Sequence, residues 1–99
     1  MRIIAKKTIK EFYEQTIYSD SKSSLEAWYK EVLKANWDNP NKIKEQYSSA
    51  SIVGNNRVVF NIHGNKYRLI VKINYDAKIV FIRFIGTHEQ YDKIDATEI

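Results

Sequence analysis

Arg57-Val58-Val59-Phe60-Asn61-Ile62-His63-Gly64-Asn65-Lys66-Tyr67-Arg68-Leu69-Ile70-Val71-Lys72-Ile73-Asn74 is the stretch that decides the architecture. Two runs rich in β-branched and aromatic residues, Arg57 to Ile62 and Tyr67 to Asn74, flank a centre in which Gly64-Asn65 has the composition of a tight hairpin turn. Such a turn fixes the register. Ile62 then faces Tyr67, Phe60 faces Leu69 and Val58 faces Val71, so large apolar side chains meet on one face. Arg57, Asn61, Arg68 and Lys72 fall on the other. Asp76-Ala77 turns the chain into a third run, Ile79 to Gly86, with Val71 opposite Ile82 and Leu69 opposite Phe84. Strict alternation sends Val80, Ile82 and Phe84 to the apolar face, and Phe81, Arg83 and Ile85 to the charged one.

Upstream of Ser48-Ser49-Ala50-Ser51 the period changes from two to that of a helix. Met1 to Ala5 reads as a short strand. Thr8 and Glu11 form a capping-box pattern, and Ile9, Phe12, Tyr13 and Ile17 recur on one helical face, which predicts a helix from about Ile9 to Tyr18. Ser19-Asp20-Ser21 breaks it, and Ser23 with Glu26 offers a second box. The helix that follows carries Leu25, Trp28, Tyr29, Val32 and Leu33 as a broad apolar stripe. Pro40 disfavours helix at Asn39, and Asn41 to Tyr47 have the composition of one or two further turns. The expected fold is α+β, an N-terminal strand and a two-helix hairpin packed on one face of a mainly antiparallel twisted sheet. Residues 1–99 form a single domain, since no repeat or linker interrupts them.

Composition narrows the chemistry. There is no cysteine, which removes disulfides, thiolate metal sites and a cysteine nucleophile together, and two histidines are too few for a dedicated zinc site. No apolar run approaches the roughly 20 residues that span a bilayer, and the first residues carry no apolar signal core, so a cytoplasmic protein without membrane partners is expected. Sixteen basic against twelve acidic residues give a net charge of +4, which favours a polyanionic partner.

The direction of the charges is more specific than their sum. On the hairpin register one sheet face gathers Arg57, Arg68, Lys72 and Arg83 around Phe81 and carries no carboxylate, an arrangement suited to phosphate binding and base stacking. A solvated sheet face also carries Lys and Arg, and residues alone leave both readings open. Arg68 and Arg83 are candidates to hold a phosphate bidentately, against an ordinary role of laying their stems over apolar neighbours. His88 follows the third run, and imidazole titrates near neutrality, where it can take a proton from a ribose 2′-OH or give one to a leaving 5′-oxygen. If Thr87 caps a helical turn, Tyr91 shares a side with His88, to donate a proton, stack on a base or simply seal the core edge. Asp92 and Lys93 are weaker candidates, and His63 reads as a hairpin residue. The acids lie mainly in the helices and at the carboxyl end rather than in a Mg²⁺-binding cluster. Cleavage of RNA through its own 2′-OH, without metal or cofactor, therefore fits better than metal-dependent hydrolysis.

The segment Val59 to Val71, followed by Ile82-Arg83-Phe84-Ile85-Gly86-Thr87-His88-Glu89-Gln90-Tyr91-Asp92, resembles the pattern of HigB-type toxins in the RelE superfamily. The order of elements agrees over nearly the whole chain, including the tryptophan-containing second helix and the Trp-x-x-Pro turn at Trp37 to Pro40. This resemblance implies a RelE-like domain and a type II toxin–antitoxin system. Such a toxin cleaves translated messenger RNA on the ribosome, is silenced by a cognate helix-turn-helix antitoxin, and with it represses their own promoter DNA. It also implies that Arg, Lys, His and Tyr stand in for a conventional acid–base pair. Asn65, Lys66, Arg68, Arg83, His88 and Tyr91 are the matching positions, with Arg68 and Arg83 as phosphate clamps, His88 as general base or acid and Tyr91 as its partner or a stacking platform. Arg57, Lys72, Phe81 and Lys93 complete the expected RNA-binding set. The competing readings are a non-catalytic RNA-binding module with the same basic sheet face and a protein whose basic surface docks an acidic partner segment.

Overall fold

The computed structural model describes residues 1–99. In chain order the elements are β1 (Arg2–Ile4), α1 (Lys6–Tyr13), a 3₁₀ segment (Thr16–Ser21), α2 (Lys22–Leu33), α3 (Pro40–Gln46), β2 (Ser51–Ile52), β3 (Arg57–Ile62), β4 (Tyr67–Asn74), β5 (Ile79–Thr87) and α4 (His88–Tyr91). The strands form one sheet in the order β1-β5-β4-β3-β2, antiparallel except for the β1–β5 pair. This is the α+β arrangement expected. No helix is long and apolar enough to cross a membrane.

The β3–β4 hairpin has the register its turn predicts, with Ile62 opposite Tyr67, Phe60 opposite Leu69 and Val58 opposite Val71. The turn works because His63 and Gly64 take positive φ values of 54° and 66°, and the Lys66 amide donates to the His63 carbonyl at 3.3 Å. Between β4 and β5 the simple alternation fails. Val71 faces Ile82 as expected, but Ile70 faces Phe84 and Leu69 faces Ile85, so Arg83 is the extra residue of a bulge. Beyond it the faces exchange. Ile85, expected outside, packs against the main core, and Phe84, expected inside, lies on the opposite side.

The helices start and stop differently from their capping patterns. Only Ala5 separates β1 from α1, and at φ 76° it turns the chain so sharply that α1 begins at Lys6; Thr8 falls inside the first turn and caps nothing. That helix ends at Tyr13, and Ile17 is 73% exposed rather than part of the buried face. Ser19 and Ser21 do not form an irregular break. Their hydroxyls donate back to the carbonyls of Thr16 and Tyr18 at 2.8 and 2.6 Å, which holds the 3₁₀ segment that runs into α2 and leaves Ser23 no cap to make. Asn39 caps α3, with Pro40 at its first position.

One face of the sheet meets all three longer helices. Ile9 and Phe12 of α1, Leu25, Trp28 and Val32 of α2 and Ile43 of α3 pack on Val58, Phe60, Leu69, Val71, Val80 and Ile82. Phe60 is the aromatic centre of this layer, with Tyr47, Trp28 and Trp37 ring centroids 5.2, 5.5 and 6.1 Å away. The other face is not bare. The carboxyl-terminal stretch crosses it, so that Ala96, Ile94 and Ile99 cover Val59, Ile70 and Phe84 in a second, smaller cluster.

Candidate functional site

The hairpin tip and the end of β5 meet at one corner of the sheet, and both owe their shape to local sequence. Thr87 is the N-cap of α4: its hydroxyl accepts from the Gln90 amide at 3.1 Å, while the Gln90 side-chain oxygen accepts from the Thr87 amide at 2.9 Å. Gly86, just before it, is required for space. A Cβ there would lie 2.5 Å from the Phe84 ring and 2.6 Å from the Gln90 amide oxygen. Gly86 also pairs with Arg68, so no β5 side chain stands directly opposite that arginine.

Three of the expected residues, Arg68, His88 and Tyr91, belong to the elements that meet at this corner. The Arg68 guanidinium donates to the Asn65 carbonyl at 2.8 Å and lies 5.9 Å from the centroid of the Tyr91 ring. The His88 amide donates to the Lys66 carbonyl at 3.3 Å, which ties the start of α4 to the hairpin tip. His88 Nδ1 lies 3.3 Å from a carboxylate oxygen of Asp92, one helical turn further on. Asn65, Lys66, Thr87, His88 and Glu89 line a shallow open depression at this corner.

Other expected residues stand apart. Arg57 is buried and its guanidinium is committed to the main-chain oxygens of Ile99 and Asn55, at 2.5–2.9 Å; it anchors the carboxyl-terminal stretch rather than presenting a free charge. Lys72 pairs with Arg57 and Phe81 four residues along β4 from Arg68, roughly 13 Å away at the usual rise per residue. Arg83 stands exposed on the bulge, beside Ile70 and Val71 and so between these two groups. The Lys66 ammonium is paired with Asp20 of the 3₁₀ segment, and Lys93 borders a groove with Phe84, Ile85 and Gln90. No three His, Asp or Glu side chains converge as metal ligands would.

The family model for "HigB_toxin, RelE-like toxic component of a toxin-antitoxin system" matches residues 21–94. The chain belongs to the HigB toxin family. It is similar to the mRNA interferase toxin HigB of Escherichia coli (strain K12) and to the mRNA interferase HigB of Shigella flexneri. Each is 27% identical over 94 residues, which cover 93% of this chain and 88% of the relative. As a HigB-family toxin it is the toxic component of a toxin–antitoxin pair, and an antitoxin is its partner.

Of two acidic partners at this corner, the sequence signalled one and not the other. Asp92 stands four residues after His88, a spacing that joins side chains on a helical turn, and that was the signal available for the contact. For Asp20 there was none, since it meets the hairpin from 46 residues away.

Proposed function

We propose that this HigB-family toxin is a ribosome-dependent endoribonuclease that cuts translated messenger RNA without a metal ion, using the RNA's own 2′-OH as nucleophile. The observation that carries this reading is the contact of Arg68 with the Tyr91 ring at the corner where the hairpin tip, through the Lys66 carbonyl, holds the start of α4 and with it His88. Similarity to proteins named mRNA interferase supports it.

In this reading His88 Nε2 takes the proton of the 2′-OH, with Asp92 on Nδ1 orienting the ring and offsetting the imidazolium that forms. The 2′-oxygen attacks the adjacent phosphorus, the bond to the 5′-oxygen breaks, and a 2′,3′-cyclic phosphate and a 5′-hydroxyl result. Arg68 and the exposed Arg83 stabilise the charge that builds on the phosphate oxygens. Tyr91, held beneath the Arg68 guanidinium, stacks on a base or supplies the leaving group's proton. Asn65, Lys66, Lys72, Phe81 and Lys93 extend the contact along the message, and the ribosome presents the strand. Arg57, buried under Ile99, contributes by holding the covering segment in place. The toxin works in the cytoplasm, is silenced by a helix-turn-helix antitoxin, and with it occupies the promoter of their operon.

Primer-extension mapping of cut sites in a translated message, with and without ribosomes, tests the reading. Cuts that need translation, and that vanish with Arg83→Ala or His88→Ala, are the expected result. RNA binding without any cut, weakened by charge reversal, identifies a non-catalytic binding module instead. Undiminished cleavage by His88→Ala removes that residue from the mechanism.

A further inference from the structure

We infer that Asp20 is a positioning residue for this site: from the 3₁₀ segment it clamps the tip of the β3–β4 hairpin and thereby sets the placement of Arg68 and His88, an inference that rests on the RNA-cleaving reading for its effect on activity. One carboxylate collects three neighbours from the tip. Asp20 Oδ1 accepts from the Tyr67 hydroxyl at 2.5 Å, Oδ2 is bound by the Lys66 ammonium, and His63 Nε2 lies 3.8 Å from Oδ2. Tyr67 is fully buried, wedged edge-on against Phe12 and Tyr18, so its hydroxyl needs this acceptor.

The clamped residues are the ones that hold the site. Asn65 and Tyr67 carbonyls accept from Arg68, at 2.8 and 3.4 Å, and the Lys66 carbonyl accepts from the His88 amide. Tyr67 also pairs with Thr87, the cap of α4. The turn itself, with positive φ at His63 and Gly64, is closed by a single 3.3 Å main-chain bond, so the tip has little local means of holding its place. Asp20's polar partners are Lys66, Tyr67 and His63, and none of its hydrogen bonds or ion pairs reaches Arg68, His88 or Tyr91, which makes its role one of positioning. The Lys66 ammonium and the Tyr67 hydroxyl hold its carboxyl below the usual carboxylate range, so the clamp stays ionised at neutral pH.

The test uses the full chain and its Asp20→Asn, Asp20→Ala and Tyr67→Phe variants, followed by cleavage kinetics in a reconstituted translation system and by amide hydrogen exchange. For Asp20→Ala the expected result is a fall in kcat of about tenfold with KM unchanged or lower, because Lys66 loses its counter-charge, together with faster exchange of the His88 amide, both beyond what the loss of global stability accounts for. Tyr67→Phe loses less, and the double variant is no slower than Asp20→Ala alone, as for two ends of one contact. Wild-type kcat and wild-type His88 protection in Asp20→Ala overturn the inference, as does a loss wholly accounted for by unfolded protein. If the wild-type chain cuts no message, the functional reading fails by itself, and His88 protection still decides whether the clamp exists.

Discussion

The two faces of the sheet are built on opposite terms. Under the helices, eighteen buried residues interlock, with Leu25, Val32, Val58, Leu69, Val71 and Val80 excluded from solvent altogether. On the other face Val59 and Ile70 lie buried beneath one short stretch of chain that contributes the buried Ala96, and the exposed and half-exposed cations stand around them. The first face supplies the folding energy, at roughly 1.5–3 kcal/mol for each large apolar side chain removed from water. The second is thin enough to leave guanidinium groups accessible, yet tied down enough to aim them. Stability and chemistry therefore belong to different side chains of the same strands, alternating residue by residue.

The largest effect expected from breaking this division is on the helix-covered face. Leu69→Ala should lower unfolding free energy by about 2–5 kcal/mol, read from urea denaturation, and reduce cleavage only through the unfolded fraction. Its neighbour Arg68 points the other way, and Arg68→Ala should reverse the pattern. Loss of a donor to the phosphate predicts a cleavage rate lower by on the order of 10²–10³, with unfolding free energy changed by less than about 1 kcal/mol. Equal losses of stability in the two variants would show that the faces are not separate.

Gly86→Ala sharpens the comparison at the point where the faces join. The added Cβ collides with the Phe84 ring and the Gln90 amide, so a cost of about 1–3 kcal/mol is expected in thermal unfolding, together with reduced cleavage as α4 shifts. Thr87→Ala removes one half of the capping box and should cost about 1 kcal/mol, with its clearest signature in faster exchange of the Gln90 amide. The smallest effect concerns pH. Because the folded pKa of Asp20 is depressed, its stabilising contribution is fully present above the ordinary carboxylate pKa of about 4 and is lost as pH falls through the folded value. The melting-temperature difference between wild type and Asp20→Asn should be constant from neutrality down to about pH 5 and shrink below pH 4. A difference that grew on acidification would contradict the assignment.

The hairpin was legible to the residue because its determinants are local. The alternation of Val58, Phe60 and Ile62, the turn at Gly64-Asn65 and the alternation of Tyr67, Leu69 and Val71 specify one register between them. The cap at Thr87 was readable for the same reason, since both halves of its box lie within four residues. The helix boundaries were less so. Thr8 has the chemistry of a cap, but the one-residue link from β1 started the helix before it.

The sequence by itself thus determined the fold class, the pairing of β3 with β4 and the family resemblance on which the functional reading rests. Only the tertiary structure decided which cations are free to act. The bulge at Arg83 exchanged the faces of Phe84 and Ile85, the carboxyl-terminal stretch drew Arg57 into burial, and Asp20 took up Lys66 from 46 residues away. The physical reason is common to all three. A strand's alternation is set by its own backbone, whereas a charged side chain goes to whichever counter-charge or acceptor the folded chain brings beside it, and no local pattern records that partner.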